Sequence, residues 1–158
     1  MIMASAMTGE MDFRNVHVLL VEDNLADARL VREAFSEWTI PYNLHHVQDG
    51  VEAMAFLHRE GKYADSITPD IVLLDLNLPR KDGRQVLSEI KGDPCLKCIP
   101  VVALTTSSAS ADIEACYQRG ANAFVTKPMD FSRFVDVLTA VKEFWFSAAT
   151  LPTRHCCA

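Results

Sequence analysis

Residues 71–79, "IVLLDLNLP", decide how this chain is read. Ile71 to Leu74 form an unbroken apolar run, the pattern of a strand covered on both faces of a parallel sheet. The run ends in a carboxylate, Asp75, with Pro79 shortly after. Burying a charge at a strand end is costly unless something there uses it, so the end of this strand is the first place to look for chemistry.

Working outward, the same strand pattern extends to DIVLL (70–74) and recurs in VHVLLV (16–21), NLHHV (43–47), PVVAL (100–104) and AFVT (123–126). Between these runs apolar residues fall three or four apart, the helical spacing. Examples are Ala28, Val31, Phe35 and Trp38, then Val51, Met54 and Leu57. A fifth stripe holds Phe131, Phe134, Val135, Leu138, Val141 and Trp145. A helix after every strand predicts an α/β fold: (βα)₅, doubly wound about a five-stranded parallel sheet, with right-handed crossovers. Residues 59–69 form a longer polar connection, and Pro152 prevents simple continuation of the fifth helix.

The 158 residues suit one domain, and 49% apolar with 23% charged residues is an ordinary globular balance. A net charge of −6 argues against a nucleic-acid surface. No apolar stretch approaches the roughly 20 residues of a membrane span, and the N-terminus lacks the basic start and apolar core of a secretory signal. The protein is therefore expected to be cytoplasmic, with residues 1–15 a mobile tail, 16–146 the domain and 147–158 a C-terminal arm. Five cysteines fit a reducing compartment. Cys95 and Cys98 form a CxxC without the second pair a zinc site needs, and it precedes a strand rather than opening a helix. They are read as two thiols near a loop, and His155, Cys156 and Cys157 as incidental.

Ligands of a parallel α/β sheet bind beyond the carboxyl ends of its strands. Those ends carry Glu22-Asp23, Asp75, Thr105-Thr106 and Thr126-Lys127-Pro128. Clustered carboxylates repel one another, and a hard cation such as Mg²⁺, bound through oxygen, relieves them. Asp75 beside such a cation can act as a nucleophile toward a phosphoryl group. The Lys127 ammonium and a threonine hydroxyl would meet the developing charge.

In this pattern, over roughly residues 15–146, the chain resembles the receiver domain of two-component response regulators. The matching motifs are VLLVEDN (18–24), LLDLNLPRKDG (73–83), VVALTT (101–106) and FVTKP (124–128). The resemblance implies the flavodoxin-like strand order 2-1-3-4-5 and Asp75 as phosphoacceptor. It implies Mg²⁺ held by Asp23, Asp75 and the Asn77 backbone carbonyl, with Glu22 acting through water and Mn²⁺ or Ca²⁺ able to substitute. Thr105 and Lys127 would contact the phosphoryl group, across a cis Lys127-Pro128 bond. Thr105 and Phe124 would form the switch pair, and Asn77, Thr106 and Ser107 would tune the rate of phosphoryl loss.

More narrowly, EDNLADARLVREAF, the 59–69 connection and the terminal FWF…TLP resemble stand-alone response regulators that serve phytochrome histidine kinases. The output would then be protein contact or phosphate relay, and the only catalysis that of the domain's own phosphorylation and dephosphorylation. The kinase is expected at the start of the first helix, Asn24 to Val31. A homodimer is expected through the helix 4–strand 5–helix 5 face, where Val137, Ala140, Phe144 and Phe146 add apolar surface, with the arm reaching across. His45 and His46 should face opposite sides of the sheet, and His58 should be a surface histidine. Two rivals are a phosphate-independent scaffold of the same fold and a haloacid-dehalogenase-type phosphatase. The second wants a carboxylate where Asn77 stands.

Overall fold

The computed structural model describes residues 15–152. Five strands alternate with five helices: β1 (Val16–Val21), α1 (Leu25–Ser36), β2 (Tyr42–Val47), α2 (Gly50–Leu57), β3 (Ile71–Asp75), α3 (Gly83–Gly92), β4 (Val101–Thr105), α4 (Ser110–Gln118), β5 (Ala123–Thr126) and α5 (Phe131–Glu143). All neighbours are parallel, in the order β2-β1-β3-β4-β5, as expected. The register sets Val21 beside Val47 and Leu74, and Thr105 beside Thr126, so the strand ends align at one edge.

The run at 71–74 is apolar throughout because consecutive side chains enter different cores. Val72 and Leu74 join Leu19, Val21, Ala103 and residues of α2 and α3. Ile71 and Leu73 join Val18, Leu20, Leu104, Phe35 of α1 and Leu138 of α5. Each fully buried aliphatic side chain stabilises the fold by about 1.5–3 kcal/mol before entropy is counted. Side chains cap four helices: Asn24, Asp49, Asp82 (a capping box with Gln85) and Asp130 accept from first-turn N–H groups. α4 differs: Ala109 gives no side-chain cap and only Cys116 is buried, making it the helix least anchored.

Helical spacing misplaced a few residues. Val51 is 39% exposed, and Phe56 takes the inward place instead. Phe131, in the first turn of α5 at the carboxyl edge of the sheet, is 68% exposed because it lies past the strand it would cover. The 59–69 connection contains a 3₁₀ turn, Gly61–Tyr63, with Tyr63 packed on the core. Arg59 donates to Thr68 and Ser66 to the Phe56 carbonyl, so the segment is tied down.

After α5 the chain makes a wider π turn, Phe144–Ala148. Phe146 stacks on Trp38 at 4.7 Å and meets Phe35 edge-on at 5.9 Å. Leu151 packs on the same cluster, so the first part of the expected arm folds back on its own domain. Apolar burial against α1 outweighs extension into water. Lys142, buried between α1 and α5, donates to the Ala34 carbonyl and lies over the Trp38 ring.

Cys95 is disulfide-bonded, whereas Cys98 and Cys116 are free. The reading of the CxxC as two reduced thiols therefore fails at Cys95. The turn buries Leu96 and leaves Cys95 and Cys98 outward, where a sulfur is accessible to oxidation. Residues 1–14 and the His155, Cys156 and Cys157 group lie outside the described residues. Among the described residues no helix is long and apolar enough to cross a membrane.

Candidate functional site

Glu22 is the first residue past β1, and its backbone is held on both sides. Its N–H donates to the Val47 carbonyl at 3.0 Å, and its carbonyl accepts from His46 Nε2 at 2.7 Å. The side chain is thereby turned inward, 1% exposed, and Asp23 outward. Asn24 then caps α1, placing Asp27 in the first turn. Asp75 ends β3 at 6% exposure, with Oδ1 accepting from the Asn77 N–H at 3.1 Å. Gly83 lets α3 start against this strand end: a Cβ there would sit 2.3 Å from the Asp75 carbonyl oxygen.

Glu22, Asp23 and Asp75 each offer a carboxylate oxygen within 4.8 Å of the others. Three hard oxygen donors, two of them buried, suit a Mg²⁺-like cation. Lys127, from the end of β5, reaches into this cluster at 7% exposure. Its ammonium donates to Glu22 Oε1, to Asp27 Oδ2 at 3.0 Å and to Asp75 Oδ2 at 3.4 Å. Burial pushes Glu22 up to about 8, with the hydrogen bond to Asp75 adding to the rise and Lys127 opposing it. Burial works to lower Lys127, but the hydrogen bond and charge of Glu22, then Asp75 and Asp27, outweigh it and raise the ammonium to about 12. The lysine stays charged while carboxylates crowd around it.

Thr105 is fully buried at the end of β4. Its hydroxyl accepts from Asn77 Nδ2 at 3.4 Å and from the Ser107 N–H at 3.3 Å. Ser107 also donates to Asp112 Oδ2 at 2.7 Å, tying the loop to α4. Thr106 and Asn77 are exposed beside the site. Phe124 is half-buried against the α2–α4 side of the core, its N–H donating to the Tyr117 hydroxyl at 3.1 Å. The expected residues thus assemble at one edge. The expected cis Lys127-Pro128 bond is absent: no cis peptide occurs among the described residues. A trans X-Pro bond is intrinsically favoured by about 0.5–1 kcal/mol, and the trans chain already delivers Lys127 to the carboxylates.

Three contributors were not anticipated. Asp27 had a signal, an acid one helical turn past the Asn24 cap. Gly83 had one in the KDG at 81–83. His46, bonding the Glu22 carbonyl, had none beyond its face of the strand.

A family model described as the response regulator receiver domain matches residues 18–139. The chain is 47% identical over 135 residues to the response regulator Rcp1 of Synechocystis sp., covering 85% of this chain and 92% of that protein. The crystal structure of the phosphorylated cyanobacterial phytochrome response regulator RcpA superposes with a TM-score of 0.86 at 50% identity, covering 88% of this chain and 99% of that one. The Mn²⁺-bound form of Rcp1 superposes with a TM-score of 0.85 at 46% identity, covering 87% and 99%.

Proposed function

The chain belongs to the response-regulator receiver family, and on that premise we propose that it is a signalling switch whose Asp75 accepts a phosphoryl group from a sensor histidine kinase. The observation that carries the assignment is the burial of Asp75 beside Glu22 and Lys127, with a third carboxylate, Asp23, in reach. An Asp75 carboxylate oxygen attacks phosphorus, the phosphorus–nitrogen bond of the phosphohistidine breaks, and the imidazole leaves. The Asn77 N–H fixes one Asp75 oxygen, and Lys127 neutralises charge arriving on the phosphoryl oxygens.

Asp23, Asp75 and the Asn77 backbone carbonyl would hold Mg²⁺, with Glu22 acting through water and Mn²⁺ or Ca²⁺ as substitutes; the Mn²⁺-bound relative supports a divalent ion here. When bound, the cation neutralises the carboxylates and the transferred oxygens. Thr105 turns its hydroxyl from Asn77 and Ser107 to the phosphoryl group, and Phe124 moves inward behind it, biasing the weakly anchored α4. Asn77, Thr106 and Ser107 line the water's approach and set the rate of phosphoryl loss. The protein's catalysis is confined to its own phosphorylation and dephosphorylation.

The RcpA relative is a phytochrome response regulator, which supports a phytochrome kinase as partner. Leu25 at 64% exposure, Phe131 at 68% and fully exposed Met129 make an apolar surface beside the site for that kinase. The α4–β5–α5 face, with Tyr117 and Phe144 about half exposed, is the homodimer surface. The protein works in the cytoplasm without nucleic acid or membrane, residues 16–146 forming the working domain.

Intact-mass spectrometry after incubation with acetyl phosphate and Mg²⁺ tests the assignment. One phosphoryl adduct is expected, lost in EDTA and in Asp75→Asn, with a sizing column reporting assembly. No adduct on folded protein would leave the phosphate-independent scaffold as the reading.

A further inference from the structure

We infer that Asp27 is a positioning residue that holds Lys127 in its resting place and competes with the phosphoryl group for the ammonium. The inference rests on the phosphoacceptor reading of Asp75. It starts from a saturation: an ammonium has three N–H donors, and here Glu22, Asp27 and Asp75 take all of them. A phosphoryl group on Asp75 adds new anionic oxygens that need the same donors. Lys127 serves them only by releasing a present partner.

Burial decides which partner yields. The Glu22 side chain is 1% exposed and Asp75 carries the phosphoryl group, whereas the Asp27 side chain is 25% exposed. A carboxylate with water at hand is the cheapest to leave unpaired. Asp27 also lies on a different element from the rest of the site. The Asn24 side chain accepts from its N–H at 3.1 Å, and α1 is anchored behind it by Ala28, Val31 and Phe35. The ammonium is thus drawn toward α1 at rest, and the charge of Asp27 opposes the incoming dianion. Asp27 lines the same cleft as Lys127, Thr106 and Phe131, so water or an incoming group reaches it directly.

The test measures beryllofluoride affinity at saturating Mg²⁺, and Mg²⁺ affinity alone, for the full chain and three variants. Asp27→Asn keeps the shape and removes the charge. Asp27→Glu keeps the charge. Glu33→Gln removes an exposed charge from the same helix. Asp27→Asn is expected to bind beryllofluoride up to about fivefold more tightly, the upper range for an ion pair with a partly exposed member. Asp27→Glu and Glu33→Gln should stay near the wild type. Equal or weaker binding by Asp27→Asn overturns the inference, as does an equal gain in Glu33→Gln, which would mark a long-range charge effect. A loss of both affinities in Asp27→Asn would mark a merely structural role and also overturn it. Wild-type protein that binds Mg²⁺ but no beryllofluoride would instead remove the phosphoacceptor reading beneath it.

Discussion

The two ends of one sheet bury carboxylates in opposite ways. At the amino end Asp70 is 3% exposed; its Oδ2 accepts from the His17 N–H at 2.8 Å, and its own N–H donates to the His17 carbonyl at 2.7 Å. His17 Nδ1 and His45 Nε2 lie 2.9 Å apart, the rings stacked at 5.2 Å. At the carboxyl end Glu22 and Asp75 are buried as deeply, but against each other and one ammonium. The first arrangement gives a carboxylate a backbone N–H donor and stabilises the fold. The second keeps like charges together, which stability alone would not select. Helix N-termini gather at that edge and soften the repulsion, yet the imbalance persists, and the proposed cation and phosphoryl group would act on it.

Replacing Asp75 by Asn breaks the contrast most sharply. Phosphoryl uptake should vanish, while removal of a buried like charge raises stability by about 1 kcal/mol, read from the mass spectrum and from urea unfolding of the same sample. Lys127→Met tests the opposite sign. Leaving Glu22 and Asp75 without their counter-charge should cost about 3–5 kcal/mol in metal-free buffer above pH 8, and markedly less toward neutral pH, where Glu22 holds a proton.

That dependence sharpens the comparison further. Folding raises Glu22 from 4.5 to about 8, so the native state holds a proton that the unfolded chain has released across that window. Stability conferred by that proton is complete below pH 4.5 and is lost as pH rises through about 8. Chemical unfolding in EDTA should show the decline, and millimolar Mg²⁺ should reverse it most at the alkaline end. A metal-free protein whose stability climbs over this range would contradict the buried, proton-holding Glu22.

The amino end should respond modestly and without touching the chemistry. Asp70→Asn should lose about 1–2 kcal/mol through its weakened hydrogen bond to His17, with the acetyl phosphate adduct intact. The smallest effect concerns His45, whose pKa burial lowers below 6.5. The unfolded state then binds the proton first, so stability falls as pH drops from 6.5 through the lower folded value. Melting curves of His45→Gln should be flatter with pH there than those of the wild type.

Much of this was legible in the chain. Apolar runs separated by three-four spacing gave the order of strands and helices, because each residue's burial is written in its own chemistry. Glu22, Asp23, Asp75, Thr105 and Lys127 could be found because each ends a strand, and parallel strands bring their ends to one edge. Val51 and Phe131 were misjudged since spacing fixes an angle on a helix but not where the sheet stops beneath it. The cis bond expected before Pro128 came with the resemblance and is not what the backbone adopts here.

Sequence by itself thus determined the α/β class, the edge where the candidate site gathers and the identities of the acids, hydroxyls and ammonium that meet there. Tertiary structure alone decided how they share charge. Asp27 joins Lys127 across 100 positions, and Phe146 returns to Trp38 rather than leading an arm outward. Such pairings depend on the docking of α1 and α5 against the sheet, a sum over many packed contacts, and no single residue's pattern reports it.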